Sequence, residues 1–317
     1  MAMDHSSTRS FWRGELERGR PGWPTRETGW VLTVRPILGA DVPEVEEVWN
    51  AAYSAMRATH HMPPEPRDSD RVSWGRRRTA HLLATDPAGS WLAEISGDVV
   101  GMAQSNIRGD RWTLSNLGVA PDHQTQGVGK ALLERTLDYG AKCSAGAIFS
   151  SPDPRAVHRY AAAGFVLHPA VVARGPVRRA VTDEGGVLEM TTEGLAQIDQ
   201  VDERVRGGTR RPDIEFQLSL GHRILLSSDG NGYVVVRGGH VATLAAHNQG
   251  VARRLLRAHL ARCDREESIT VGWMRAGDQW AIETLVEAGV ALHVHGAVML
   301  RGEWEPHGAY LPNGLFG

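Results

Sequence analysis

The residue types that could do chemistry cluster in Leu117-Gly118-Val119-Ala120-Pro121-Asp122-His123-Gln124-Thr125-Gln126-Gly127-Val128-Gly129-Lys130-Ala131-Leu132-Leu133. An apolar strand pattern ends, a polar loop with two close glycines follows, and a helical pattern begins. That order leaves unpaired backbone N–H groups at the positive end of a helix. Glycine at 127 and 129 lets a ligand's phosphates come close to the main chain, so the turn reads as an anion site. Two phosphate-binding patterns fail here. A dinucleotide fingerprint needs a third glycine where Leu132 stands, and a nucleotide P-loop needs Gly at 124 and Ser or Thr at 131, where Gln124 and Ala131 stand.

The elements that must hold these residues are legible from periodicity. Trp30–Arg35 alternates as a strand, Asp41 stands where an N-cap belongs, and Val42, Val45, Val48, Trp49, Ala52 and Met56 follow at helical spacing. His60–Arg67 is a loop with three prolines, and a second helix is expected over Asp70–Ala84. Strands follow at Ser90–Ile95, Val99–Asn106 and Trp112–Val119, then a helix from Gly127 to Ala141. Strand Ala145–Ser150, helix Pro154–Ala163 and strand Phe165–Arg174 complete a βααβββαβαβ order, a mixed sheet with helices on its faces. After a linker over 175–186 the pattern returns: strand Val187–Thr191, helix Gly194–Val205, and strands Arg223–Ser227, Tyr233–Val236 and Val241–Ala245. Helix Gly250–Cys263, strand Ile269–Val271, helix Gln279–Ala288 and strand Ala291–Arg301 end it.

Local sequences repeat as well. Gln126-Gly127-Val128-Gly129 and the pair Leu132-Leu133 match Gln249-Gly250-Val251-Ala252 and Leu255-Leu256, and Ala156–Gly164 matches Ala281–Gly289. The anchor glycines lie 37 residues apart in one copy (127 to 164) and 39 in the other (250 to 289), which points to duplication. In the second copy Ala252 replaces Gly129 and Leu285 replaces Tyr160.

The chain has 317 residues, two domains' worth, with 41% hydrophobic and 23% charged residues and a net charge of −2. No basic field points to nucleic acid or an anionic membrane, and no apolar run approaches the ~18 residues of a span. Two cysteines, Cys143 and Cys263, exclude a disulfide scaffold and a four-cysteine zinc site. Arginine outnumbers lysine because Lys130 and Lys142 are the only lysines, a bias that a GC-rich genome explains. Residues 1–28 read as a flexible N-terminal arm that Trp12 and Trp23 would pin to a surface. A cytoplasmic location is expected.

Gln124-Thr125-Gln126-Gly127-Val128-Gly129 resembles the pyrophosphate loop of the GCN5-related N-acetyltransferases (GNAT), Gln/Arg-x-x-Gly-x-Gly/Ala. Asp153-x-x-Ala156-x-x-x-Tyr160-x-x-x-Gly164-Phe165 resembles the family's second motif, with Asp where relatives carry Asn. The resemblance covers about 30–174, and 187–301 as a weaker copy. It implies an α/β mixed-sheet fold of two tandem acyl-CoA N-acyltransferase (GNAT) domains: a catalytic one over 29–178 and a degenerate one over 179–317 with a C-terminal tail. It also implies a CoA-dependent N-acetyltransferase whose strand Leu114–Val119 splays from the next to admit acetyl-CoA. The implied cofactor-binding set is Leu117, Gly118, Val119, Gln124, Thr125, Gln126, Gly127, Val128, Gly129, Lys130, Ala131, Asp153, Ala156 and Tyr160. The implied catalytic groups are Tyr160, as general acid to the departing thiolate, and the Val119 backbone N–H, which polarises the thioester carbonyl. No metal is implied.

The expected acceptor is a primary amine on a small metabolite or antibiotic-like molecule, attacked in a ternary complex, with roles in resistance or secondary metabolism. A peptide acceptor and a non-catalytic acyl-CoA-binding module are the alternatives, and a monomer is favoured over a dimer. An alkylamine with a pKa near 10 is neutral about once in a thousand at pH 7, which costs roughly 4 kcal/mol, so a proton acceptor is required. Ser115 and Asn116 can hold only a water; Glu94, His60 and His61 are the candidate bases. His293 and His295 share a strand face, read as surface histidines rather than metal ligands. Arg76-Arg77-Arg78 reads as a solvated helix face, with an acidic acceptor or the CoA 3′-phosphate as its other use. The tail Pro306–Gly317 would cross the acceptor groove or latch to the surface.

Overall fold

The computed structural model describes residues 31–190 and 194–317; the arm expected over 1–28, with Trp12 and Trp23, lies outside them. β1 (Leu32–Pro36), β2 (Ser90–Ile95), β3 (Asp98–Arg108) and β4 (Arg111–Val119) form an antiparallel run. Its two hairpins turn at Gly97 and Gly109, both with positive φ. Between β1 and β2 lie α1 (Val42–Thr59) and α2 (Ser69–Thr85). Asp41 does precede α1, yet its carboxylate accepts the Leu38 N–H (2.7 Å) and pairs with Arg35 instead of capping the helix. Asp68 caps α2 by accepting from the Arg71 N–H at 2.8 Å. α3 (Val128–Tyr139) then leads to β5 (Ala145–Ser150), parallel to β4, and α4 (Pro154–Ala162) leads to β6 (Val166–Gly175).

The second half repeats the plan with β7 (Val187–Met190), α5 (Leu195–Arg206), α6 (Arg211–Ser219), β8 (Arg223–Ser227), β9 (Gly232–Arg237) and β10 (His240–Ala246). α7 (Gln249–Arg262), β11 (Ile269–Met274), α8 (Gln279–Glu287), β12 (Ala291–Gly302) and β13 (Ala309–Leu311) follow. The predicted elements are all present, with ends shifted by at most three residues. α6 and β13 were not predicted. α6 carries Pro212 in its first turn and buries Asp213 and Gln217 beside Ile214, so no apolar stripe marks it.

One sheet runs through both halves in the order β1-β2-β3-β4-β5-β12-β6-β11-β10-β9-β8-β7, with β13 on β10. The halves exchange their last strands: β12 lies against β5, and β6 lies against β11. The cores follow the exchange. Ala297 and Met299 of β12 pack with Trp112, Leu133, Ile148 and Phe165, and Ala173 of β6 packs with Val241, Leu255 and Leu285. A buried ion cluster adds to the union: Arg108 pairs with Asp86 (2.8 Å) and Asp213 (2.6 Å), and His81 meets Asp213 at 2.8 Å.

Candidate active site

A cavity of about 870 Å³ opens where β4 and β5 part. Their parallel pairing ends at Leu114↔Ile148. At that point the β3–β4 register steps from Gln104↔Asn116 to Ser105↔Leu114, leaving Ser115 as an unpaired extra residue. Such a bulge bends its strand, and this one turns β4 away from β5. Beyond it the Ala120 N–H bonds to the Val100 carbonyl (2.9 Å). Alternation along an antiparallel ladder then points the N–H groups of Leu117 and Val119 away from β3, towards the edge β5 has left. The Val119 carbonyl on that edge accepts from the Gln124 side chain at 3.2 Å.

The loop after β4 delivers α3 end-on to the same cavity. Gly127 is its N-cap residue at φ +88°, with no side chain capping the helix. Thr125 is also left-handed, at φ +64°. A non-glycine held there costs roughly 1–3 kcal/mol, a strain found where a loop must aim its amides. The amides of Lys130 and Ala131 donate to the Gly127 carbonyl, so those of Val128 and Gly129 are the ones that precede any acceptor in the helix. A Cβ at Gly129 would stand 2.8 Å from an Arg159 guanidinium nitrogen, so that cation lies over the helix N-terminus.

Of the sequence-predicted set, Leu117, Gly118, Val119, Gln124, Thr125, Gly127, Gly129, Asp153, Ala156 and Tyr160 line the cavity. Gln126, Val128, Lys130 and Ala131 do not. Val128 is buried in the core beneath, and Lys130 is exposed beside Glu134 at 3.8 Å. Asp153 caps α4, accepting from the Arg155 N–H (2.9 Å), and Arg155 also donates to the Gln124 side chain (2.8 Å). The Arg155 guanidinium also pairs with the Asp153 carboxylate at 2.7 Å, and that bond, with the backbone N–H, holds the carboxyl below its ordinary value. Arg155 and Arg159 were not singled out from sequence; their i, i+4 spacing beside Asp153 was the available signal. Burial pushes the Tyr160 phenol up to about 12, so it keeps its proton throughout the neutral range.

The candidate bases fall elsewhere. Glu94 lies on the β1–β2 edge and is bound to Arg35 at 2.7 Å, while His60 and His61 stand beyond the end of α1 and do not line the cavity. His295 does line it. A register break in β12 between Val294 and Ala297 turns it inward, while His293 stays exposed. Burial and the nearby Arg174 lower the His295 imidazole, leaving it neutral at pH 7. The solvated reading of the arginine run holds for Arg76 and Arg77 but not for Arg78, which is fully buried and lines the cavity. Pro312–Phe316 of the tail also lines it, and the Asn106 side chain donates to the Leu315 carbonyl at 3.0 Å.

The corresponding place in the second half is closed twice over. Asn248 caps α7 with its side chain, accepting from the Val251 N–H at 3.0 Å. β10 and β11 pair at only two positions, and β13 occupies the edge beyond by pairing Leu244↔Leu311, Ala245↔Tyr310 and Ala246↔Ala309.

Comparison with known proteins locates the likeness. Residues 45–165 match the family model for the acetyltransferase (GNAT) family. Over 181 residues the chain is 29% identical to the L-amino acid N-acyltransferase MnaT of Escherichia coli (strain K12), a match spanning 55% of this chain and 96% of that protein. Among solved structures, a putative acetyltransferase from Pyrococcus horikoshii covers 90% of this chain and 96% of its own at 18% identity, with a TM-score of 0.70. A tandem GNAT protein from the clavulanic acid biosynthesis pathway covers 86% of this chain and 98% of its own at 12% identity, with a TM-score of 0.54.

Proposed function

Since this chain belongs to the GCN5-related N-acetyltransferase family and is an acyltransferase, we propose that it moves an acetyl group from acetyl-CoA to the primary amine of a small molecule by direct attack in a ternary complex. One observation carries the reading. A single cavity gathers the free edge of β4, the uncapped N-terminus of α3 and the Tyr160 side chain. We assign the working site to the copy over 29–178 and a supporting role to the copy over 179–317, whose Phe216, His222 and Trp273 help wall that cavity.

The residues fit acetyl-CoA, whose thioester supplies an activated acyl group. The Val128 and Gly129 amides, with Arg155 and Arg159 alongside, present positive charge to the pyrophosphate. Leu117 and Val119 offer backbone donors along β4, and the Val119 N–H stands ready for negative charge developing on the thioester oxygen, the kind of donor that often contributes most to catalysis. The amine nitrogen bonds to the acyl carbon, the carbon–sulfur bond breaks, and the departing sulfur takes the Tyr160 proton. The proton leaving the amine goes to neutral His295, directly or through water held by Ser115 and Asn116.

The Escherichia coli relative's name gives L-amino acids as its acceptors, which supports a small-molecule amine here. Release of CoA thiol from acetyl-CoA, measured across small amines and lysine-bearing peptides, tests the reading. Turnover confined to peptides would replace the acceptor class. Acetyl-CoA binding without turnover on any amine would favour a binding module.

A further inference from the structure

The cavity wall contains a cation with no hydrogen-bond acceptor and no salt-bridge partner among the described residues. Arg78 is fully buried, and none of its Nε, Nη1 and Nη2 atoms has a hydrogen-bond partner among the described residues. Its guanidinium carbon lies 4.0 Å from the ring centre of Trp49 and 4.7 Å from that of Trp74. Two indoles give cation–π attraction but offer no acceptor to the N–H groups. A buried guanidinium without a counter-ion carries a large desolvation cost, so such cations are ordinarily paired.

Internal pairing does not explain it. The strongest acidic influence on it is Glu46, whose carboxylate is bound to Arg67 at 2.6 Å. Glu65, also on the cavity wall, is already shared between Arg57 and Arg71. Arg71 adds positive charge of its own. Burial lowers the Arg78 guanidinium to about 9, which leaves it cationic at neutral pH.

We propose that Arg78 reads an anionic oxygen group on the acceptor, so that the substrate class is amines carrying a carboxylate or a comparable oxyanion. The inference rests on the acyltransferase reading of this cavity. A guanidinium fork matches a carboxylate with two parallel hydrogen bonds. Its place suits an acceptor subsite. Trp49, on which Arg78 stacks, packs against Gly118: a Cβ there would lie 3.5 Å from the Trp49 Cα and 3.7 Å from its Cδ1. The anion would therefore dock one indole away from β4, while the CoA phosphates dock at the N-terminus of α3.

The test uses the full chain saturated with CoA, titrated calorimetrically with free amino acids, their carboxamides and the matching aminophosphonates. Thiol release from acetyl-CoA is measured on the same panel. Wild-type protein is expected to favour the anionic acceptors over the carboxamides by at least tenfold, and the aminophosphonates separate carboxylate from general oxyanion recognition. Arg78→Met should bring that ratio near one and Arg78→Lys should leave it intermediate, with acetyl-CoA affinity kept within twofold in both. Equal use of acids and amides by the wild-type protein would overturn the proposal without any variant. So would an Arg78→Met protein that keeps the preference, or one whose acetyl-CoA affinity falls in step. Anion-dependent binding without thiol release would support the Arg78 site and refute the acyltransferase reading.

Discussion

Tyr160 lies in the cavity wall with a phenol that burial holds protonated up to about pH 12. An acid with a raised pKa stays in its competent form below that value, so its ionisation should impose no alkaline fall in rate up to pH 10; a limb of slope −1 below pH 10 that vanishes in Tyr160→Phe would contradict this. Tyr160→Phe itself should lower kcat at least tenfold while leaving acetyl-CoA affinity nearly unchanged, as steady-state kinetics and calorimetry would show. That Tyr160, Asp153 and the paired glycines line one cavity was legible in the sequence because each sits at a fixed spacing in a short motif that resembles a known family's. Arg78 was not, since three consecutive arginines look alike until the phase of α2 is fixed. The signal lay in Gly75, Arg78, Thr79 and Leu82, which recur at three- and four-residue spacing and form the buried face.

At the scale of elements, α3 and α7 hold matching places in the two halves but start differently. Gly127 leaves the amides of α3 open, while Asn248 closes those of α7. Asn248→Ala should cost about 1 kcal/mol of stability, the usual worth of such a cap, with no change in acetyl-CoA affinity. Thermal unfolding with a parallel titration checks both, and a loss of affinity would show that α7 takes part in binding. Gly127→Val should lower both stability and affinity. At φ +88° a side chain costs roughly 1–2 kcal/mol, and reshaping this loop should weaken acetyl-CoA at least tenfold. The strand and helix order was legible because periodicity reports burial. The bulge at Ser115 and the β13 pairing were not, because both are set by which strand lies alongside.

Across the whole molecule, two copies share one sheet and one cavity. The exchange of β6 and β12 escapes sequence analysis, since each strand has the same alternation whichever partner it pairs with. Arg108, Asp86, His81 and Asp213 tie α6 to the first half. Burial alone would raise the Asp213 carboxyl, but hydrogen bonds from His81 and Arg108 outweigh it and hold it below the ordinary value. A carboxyl lowered in the folded state contributes stability that is present above its unfolded pKa and lost as pH falls through the folded one. Unfolding free energy should therefore decline below about pH 4, and less steeply in Asp213→Asn; parallel slopes would remove Asp213 from this role. The central claim, a single acyl-CoA site formed by the first copy and walled by the second, meets its most direct test in calorimetric titration of the purified chain with acetyl-CoA. The account predicts one site per chain, abolished or severely weakened by Gly127→Val combined with Gly129→Val. Two sites per chain, or one that survives those substitutions, would contradict it.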